Sequence, residues 1–208
     1  MNTFLERMRG WFMSFKKRVE KNPAIGKVAI CVGHSRLNDA GARSVCGVSE
    51  WEYNNAVATY LHEHLKELGI ASQIINDYPF KSYSKAVQWV AERTWGFDVA
   101  IELHFNSYSS SSAKGFEYLY YHRSAKGERL AKAFTEQHTQ EVPGQNNRGS
   151  KAVKYGDRGY KFLAKTKPPA LICEPFFGSN PQEWVLFDGN QETLAQIYAR
   201  ALQKYFAS

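Results

Sequence analysis

From Lys27 onward, apolar positions gather into short β-branched or aromatic runs: KVAICV, ASQIIN, DVAIEL, GFEYLYY and PALICE, each with turn-forming residues nearby. Runs of this length and composition predict strands. Between them the spacing changes. Val57, Leu61, Leu65 and Leu68 recur at the interval of one helix face after Glu50, and Gly69 stands where a left-handed residue would stop that helix. Residues 83–94, 124–140 and 190–206 carry helical spacing too, the last entered through Asn190 as a cap. Strands alternating with helices predict an α/β fold, with a twisted, largely parallel or mixed sheet flanked by helices on both faces. A chain of 208 residues with 43% hydrophobic content supports one such domain with a substantial core.

Before Lys27 the pattern is different. Residues 1–26 intersperse Arg7, Arg9, Lys16, Lys17, Arg18 and Lys21 with Phe4, Leu5, Trp11, Phe12 and Phe15, and Asn22, Pro23 and Gly26 mark a boundary. The division expected is a basic amphipathic segment, 1–26, and a single domain, 27–208. Charges interrupt the apolar stretches, so the segment reads neither as a signal peptide nor as a membrane span. A basic, aromatic helix suits contact with an anionic membrane or cell envelope. The net charge of +7 extends the preference for anionic partners to the whole chain, with nucleic acid, anionic lipid and acidic cell-wall polymer all admissible on charge alone. Cys31, Cys46 and Cys173 are odd in number and lack a Cys-x-x-Cys pair, and two of them lie inside apolar runs where a buried thiol is ordinary, so they predict neither a disulfide framework nor a thiolate metal cluster.

Two predicted strands end in histidine, CVGH at His34 and AIELH at His104, while PALICE ends at Glu174 and Glu50 opens the helix that follows the first strand. In open α/β sheets ligands gather beyond the carboxyl ends of the strands, so these four side chains are expected on one rim. Two imidazoles and a carboxylate around a hydrolytic zinc, with a further carboxylate to move protons, require this complement of residues.

The ordered motifs GHSRLNDAGA, EWEYNNAVA, ELHFNS, KGFEYLYY, NNRGSK and PALICEPFFGSN resemble those of the zinc-dependent N-acetylmuramoyl-L-alanine amidases of the amidase-3 family, over Val28 to about Tyr205. Position by position, the resemblance implies His34, Glu50 and His104 as ligands of one zinc ion and Glu174 as the catalytic glutamate. It implies peptidoglycan as the partner, with no nucleic acid, and hydrolysis of the amide between N-acetylmuramic acid and L-alanine. ELHFNS resembles the family's serine-x-histidine-x-asparagine-like strand end. Cys31-Val32 replaces the usual aspartate-proline, and Ser35-Arg36 the usual glycine pair. Asn106 and Arg148 are candidate substrate contacts, Arg148 because a guanidinium suits the carboxylates of the stem peptide. The absence of a signal predicts synthesis in the cytoplasm and action on the cell wall, as for a phage endolysin released through a holin. A zinc carboxypeptidase or endopeptidase acting on murein peptides, and a non-catalytic murein-binding protein, are the alternatives left open.

Other motifs are weaker. SYSK at Ser82–Lys85 lacks the companion motifs of penicillin-binding enzymes. GQNNRGSK reverses the Lys-Ser order of a phosphate loop and has no convincing strand before it, so it reads as a substrate-facing loop. His62, His64, His122 and His138 read as structural or solvated.

Overall fold

The computed structural model describes residues 25–208, so the basic segment proposed for 1–26 lies, up to residue 24, outside the described residues. In chain order the elements are β1 Lys27–Val32, α1 Glu50–Glu67, β2 Ala71–Ile75, α2 Tyr83–Arg93, β3 Val99–Leu103, β4 Phe116–Tyr121, α3 Ala125–Glu141, β5 Asn147–Val153, α4 Tyr160–Lys165, β6 Ala170–Glu174, α5 Pro181–Phe187 and α6 Gln191–Phe206. One six-stranded sheet runs β2-β1-β3-β6-β4-β5. Strands β2, β1, β3 and β6 are mutually parallel; β4 runs antiparallel to β6, and β5 parallel to β4. The sheet is therefore mixed, as expected.

The apolar runs of the central strands are continuous because both faces are covered. Val28, Ile30 and Val32 of β1, Val99, Ile101 and Leu103 of β3, and Leu171 and Cys173 of β6 point into the larger core. That core is closed by α1, α3 and α6, with α6 packed extensively against both α1 and α3. Ala29, Cys31, Ala100, Ala170 and Ile172 face the opposite way, into a smaller core with Ala86, Val87 and Val90 of α2 and Phe162 and Leu163 of α4. Three layers result, with helices on both faces.

Helix α1 follows its sequence signals. Ser49 caps it by accepting from the Glu52 amide at 3.2 Å, Val57, Leu61 and Leu65 are buried along one face, and Gly69, at φ 73°, takes the left-handed stop. Asn190 stands at the start of α6 as expected, but its amide donates back to the Leu186 carbonyl at 3.0 Å and makes no cap. Three elements have no counterpart in the sequence pattern. Asn147–Val153 is a strand where a loop was expected: it is an exposed edge with one buried residue, Val153, so burial imposes no apolar run on it. Helices α4 and α5, of 6 and 7 residues, are too short for a periodic signal. Cys31 and Cys173, the two cysteines inside apolar runs, are buried thiols, and Cys46 is exposed. None of the described helices is long and apolar enough to cross a membrane.

Candidate active site

Strand β1 has β2 on one side and β3 on the other, so the chain leaves it in opposite directions at the point where ligands collect in such sheets. His34 and His104 leave the carboxyl ends of β1 and β3 there. His34 holds a left-handed backbone, φ 70°, uncommon for any residue but glycine, asparagine or aspartate. Its loop is tied down directly afterwards: Ser35 and Asp39 exchange two backbone hydrogen bonds, at 2.7 and 3.0 Å, and the Ser35 hydroxyl donates to the Tyr78 carbonyl at 3.0 Å. A Cβ on Gly33 would overlap the His104 ring, and one on Gly41 would lie 2.7 Å from His34 Cδ2 and 2.8 Å from Glu50 Cβ. Glycine at both positions lets the two histidine-bearing loops close on Glu50.

Glu50, the first residue of α1, is 1% exposed. Its Oε2 accepts from the Ala42 amide at 3.0 Å and its Oε1 from the Phe105 amide at 3.2 Å. His104 Nδ1 lies 2.8 Å from Oε1, and His34 Nε2 lies 3.2 Å from Oε2. Burial alone would raise the Glu50 carboxyl; the two imidazoles outweigh it and hold it well below the usual carboxylate range. Burial likewise opposes a charge on each histidine. For His34 the Glu50 carboxylate reverses the balance, and for His104 Glu102 and Glu50 do so together, leaving both imidazoles shifted up.

The donor set fits a divalent metal. One ligand atom from each of His34, Glu50 and His104 lies within 4.8 Å of the others. Although His34 has carboxylate oxygens within 3.2 Å of both ring nitrogens, the directions are wrong for hydrogen bonds, and both buried nitrogens lack a hydrogen-bond partner. Buried polar atoms without hydrogen bonds are costly, and one of the two, Nε2, faces the Glu50 carboxylate within the ligand group.

Glu174 ends β6 on the same rim, 2% exposed. Among the described residues its Oε2 is buried without a hydrogen bond, while Oε1 lies 3.6 Å from the Arg158 guanidinium. Burial pushes this carboxyl up to about 7; His104 and Arg158 pull against that shift and Glu50 adds to it. The structure thus brings His34, Glu50, His104 and Glu174 to one rim, and His34, His104 and Glu174 line a cleft of about 140 Å³ that runs between the sheet and α2, past Tyr83 and Val87. Asn106 and Arg148 meet elsewhere on the rim, through a residue that sequence reasoning missed. Glu117 of β4 accepts from Asn106 Nδ2 at 2.8 Å and from Arg148 Nε at 2.9 Å.

Two further carboxylates were missed. Asp39 Oδ2 lies 3.0 Å from His34 Nδ1, and Glu102 Oε2 lies 3.3 Å from His104 Nε2, each beside the ring nitrogen turned away from Glu50. The signal was available for Glu102 and Glu117: each is a lone charge inside an apolar strand, VAIEL or FEYLYY, where a carboxylate requires a partner. Arg158 arrives on a turn of exposed residues and carries no such signal. The remaining histidines serve the scaffold or the surface. His138, for one, is fully buried, bonded to Tyr118 and Gln145, stacked on Phe116, and lowered by burial to about 4.

The family model for N-acetylmuramoyl-L-alanine amidase matches residues 28–204. Among solved structures, the catalytic domain of an endolysin targeting Clostridia difficile is 28% identical over 86% of this chain and 97% of its own, with a TM-score of 0.74. The catalytic domain of CwlV, an N-acetylmuramoyl-L-alanine amidase from Bacillus (Paenibacillus) polymyxa var. colistinus, is 25% identical over 87% and 98%, with a TM-score of 0.71. An N-acetylmuramoyl-L-alanine amidase of Nostoc punctiforme shares the fold at 21% identity, over 90% and 100%, with a TM-score of 0.74. No curated protein matches the chain.

Proposed function

This chain belongs to the N-acetylmuramoyl-L-alanine amidase family, and on that premise we propose that it is a zinc-dependent lytic enzyme cutting peptidoglycan between N-acetylmuramic acid and L-alanine. One zinc ion would be held by His34, Glu50 and His104. The observation that carries this reading is the meeting, on one sheet rim, of that ligand group with a buried carboxyl that has no hydrogen bond on one oxygen.

When bound, zinc supplies Lewis-acid polarisation of the scissile carbonyl and of the attacking water. The protein does the rest. The Ala42 and Phe105 amides orient Glu50 and help keep it ionised inside the core. Asp39 and Glu102 place a negative charge beside the far ring nitrogen of each histidine, where carboxylates stand behind metal-ligating histidines. Glu174 takes a proton from the attacking water at its free Oε2 and returns it to the departing alanine amine. In the metal-free protein burial lifts this carboxyl to about 7, toward the range that suits a group which takes and returns a proton, and Arg158 beside Oε1 limits how far burial can raise it.

The lytic role is supported by the likeness to an endolysin catalytic domain. It would place the enzyme at the cell wall, reached through holin release, and the basic N-terminal segment would add contact with an anionic envelope. The test is digestion of purified sacculi. New amino-terminal alanine, abolished by chelation and restored by zinc, is the expected product. New termini at other stem residues would establish the endopeptidase or carboxypeptidase alternative, and binding without turnover the non-catalytic one.

A further inference from the structure

On the half of the rim away from the proposed ligands, Glu174 of β6 and Glu117 of β4 are direct partners in the antiparallel register, so their side chains share a face of the sheet. Glu117 is 8% exposed and gathers Asn106, Arg148 and Lys151 around one carboxylate. Burial disfavours its charge, and the two cations more than compensate, holding it below the ordinary glutamate range. Two cations around one anion leave a surplus positive charge. Arg148 spends only Nε on Glu117, lies with its guanidinium carbon 5.1 Å over the Phe177 ring, and remains one-third exposed. Its terminal nitrogens form the rest of a planar fork, held from one edge and one face. Such a fork suits a carboxylate, and its ordering cost is met before any ligand arrives.

We propose that Glu117, Arg148 and Lys151 form a subsite for a free carboxylate of the stem peptide, carried by the acidic residue that follows the L-alanine released at Glu174. This rests on the amidase reading and goes beyond it, because it makes the charge state of that residue a specificity determinant. Arg148 and Lys151 contact the carboxylate. Glu117 is a positioning residue that acts through Arg148.

The test uses the full chain loaded with zinc and two soluble substrates in which the γ-carboxyl of the second residue is blocked as a methylamide, N-acetylmuramoyl-L-alanyl-D-isoglutamate with its α-carboxylate free and the isoglutamine counterpart with that carboxyl amidated. Wild type is expected to prefer the acid by about ten-fold in kcat/KM, as loss of one charge-assisted hydrogen bond predicts, and the preference should shrink with added salt. Arg148→Gln should abolish most of the preference, chiefly through KM for the acid; Arg148→Lys should keep part of it. Glu117→Gln should raise KM for the acid more than for the amide, a split that general loosening of the fold would not give. Equal use of both substrates by wild type, or an undiminished preference in folded Arg148→Gln, overturns the subsite. Cleavage of neither substrate by wild type sinks the amidase reading and this one with it.

Discussion

Glu174→Gln should inactivate the enzyme and, in the metal-free protein, change how stability depends on pH. The unfolded chain releases the Glu174 proton near 4.5, whereas burial lifts the folded carboxyl to about 7. Between those values the native state holds a proton that the unfolded state has lost, so this group's contribution is complete below 4.5 and is lost as pH rises through 7. With a little over 1 kcal/mol for each pH unit of the gap, wild type should lose on the order of 2 kcal/mol relative to Glu174→Gln between pH 5 and pH 8. The comparison between variant and wild type cancels most of the titration of His34, Glu50 and His104, which both proteins share. Whatever a buried glutamine amide costs is independent of pH and also drops out. Urea unfolding of chelator-treated protein at the two pH values measures the difference, and the rate on soluble muropeptide should fall roughly 10²- to 10⁴-fold for loss of a proton-transfer group. A constant stability gap from pH 5 to pH 8 would refute the desolvated carboxyl, and near-wild-type turnover would place the base elsewhere.

His34→Ala, His104→Ala and Glu50→Gln should each lose zinc as well as activity, whereas Glu174→Gln should retain the metal; metal analysis after gel filtration separates the two classes. Glu102→Gln should keep the fold and weaken zinc binding by roughly 10- to 100-fold, as loss of a carboxylate behind a ligating histidine does, measured by competition with a chromogenic chelator. Because the metal-free imidazoles are shifted up and must be neutral to ligate, zinc affinity should fall as pH drops through neutrality, above the range of an ordinary histidine. Gly33→Ala should displace the His104 ring and lower zinc occupancy with little change in secondary structure, read by metal content beside circular dichroism.

The strand ends were the most legible part of the chain. Runs such as KVAICV and PALICE are apolar because two layers of helix cover them, and a polar residue at or just past the end of such a run, as Glu174 and His34 are, emerges on the carboxyl rim. The mixed character of the sheet was open from the pattern alone, since β4 runs backwards and FEYLYY reads the same in either direction. Strand β5 escaped because an exposed edge needs no buried alternation. Glu117 escaped for another reason: its importance lies in joining Asn106, 11 residues back, to Arg148, 31 residues on, and only the folded register shows that they meet.

The reversal of β4 also bears on how this rim can diversify. The proposed metal side is built where β1 and β3 leave the sheet, but Glu117 and Arg148 sit where β4 and β5 enter it. The connections 107–115 and 142–146 lead into the second half, while 33–49 leads out of the first. Insertions and substitutions in the entry loops can thus accumulate along a lineage without passing through the segments that hold His34, Glu50 and His104. One ancestral hydrolase could adapt to walls of differing chemistry by rewriting those two short stretches.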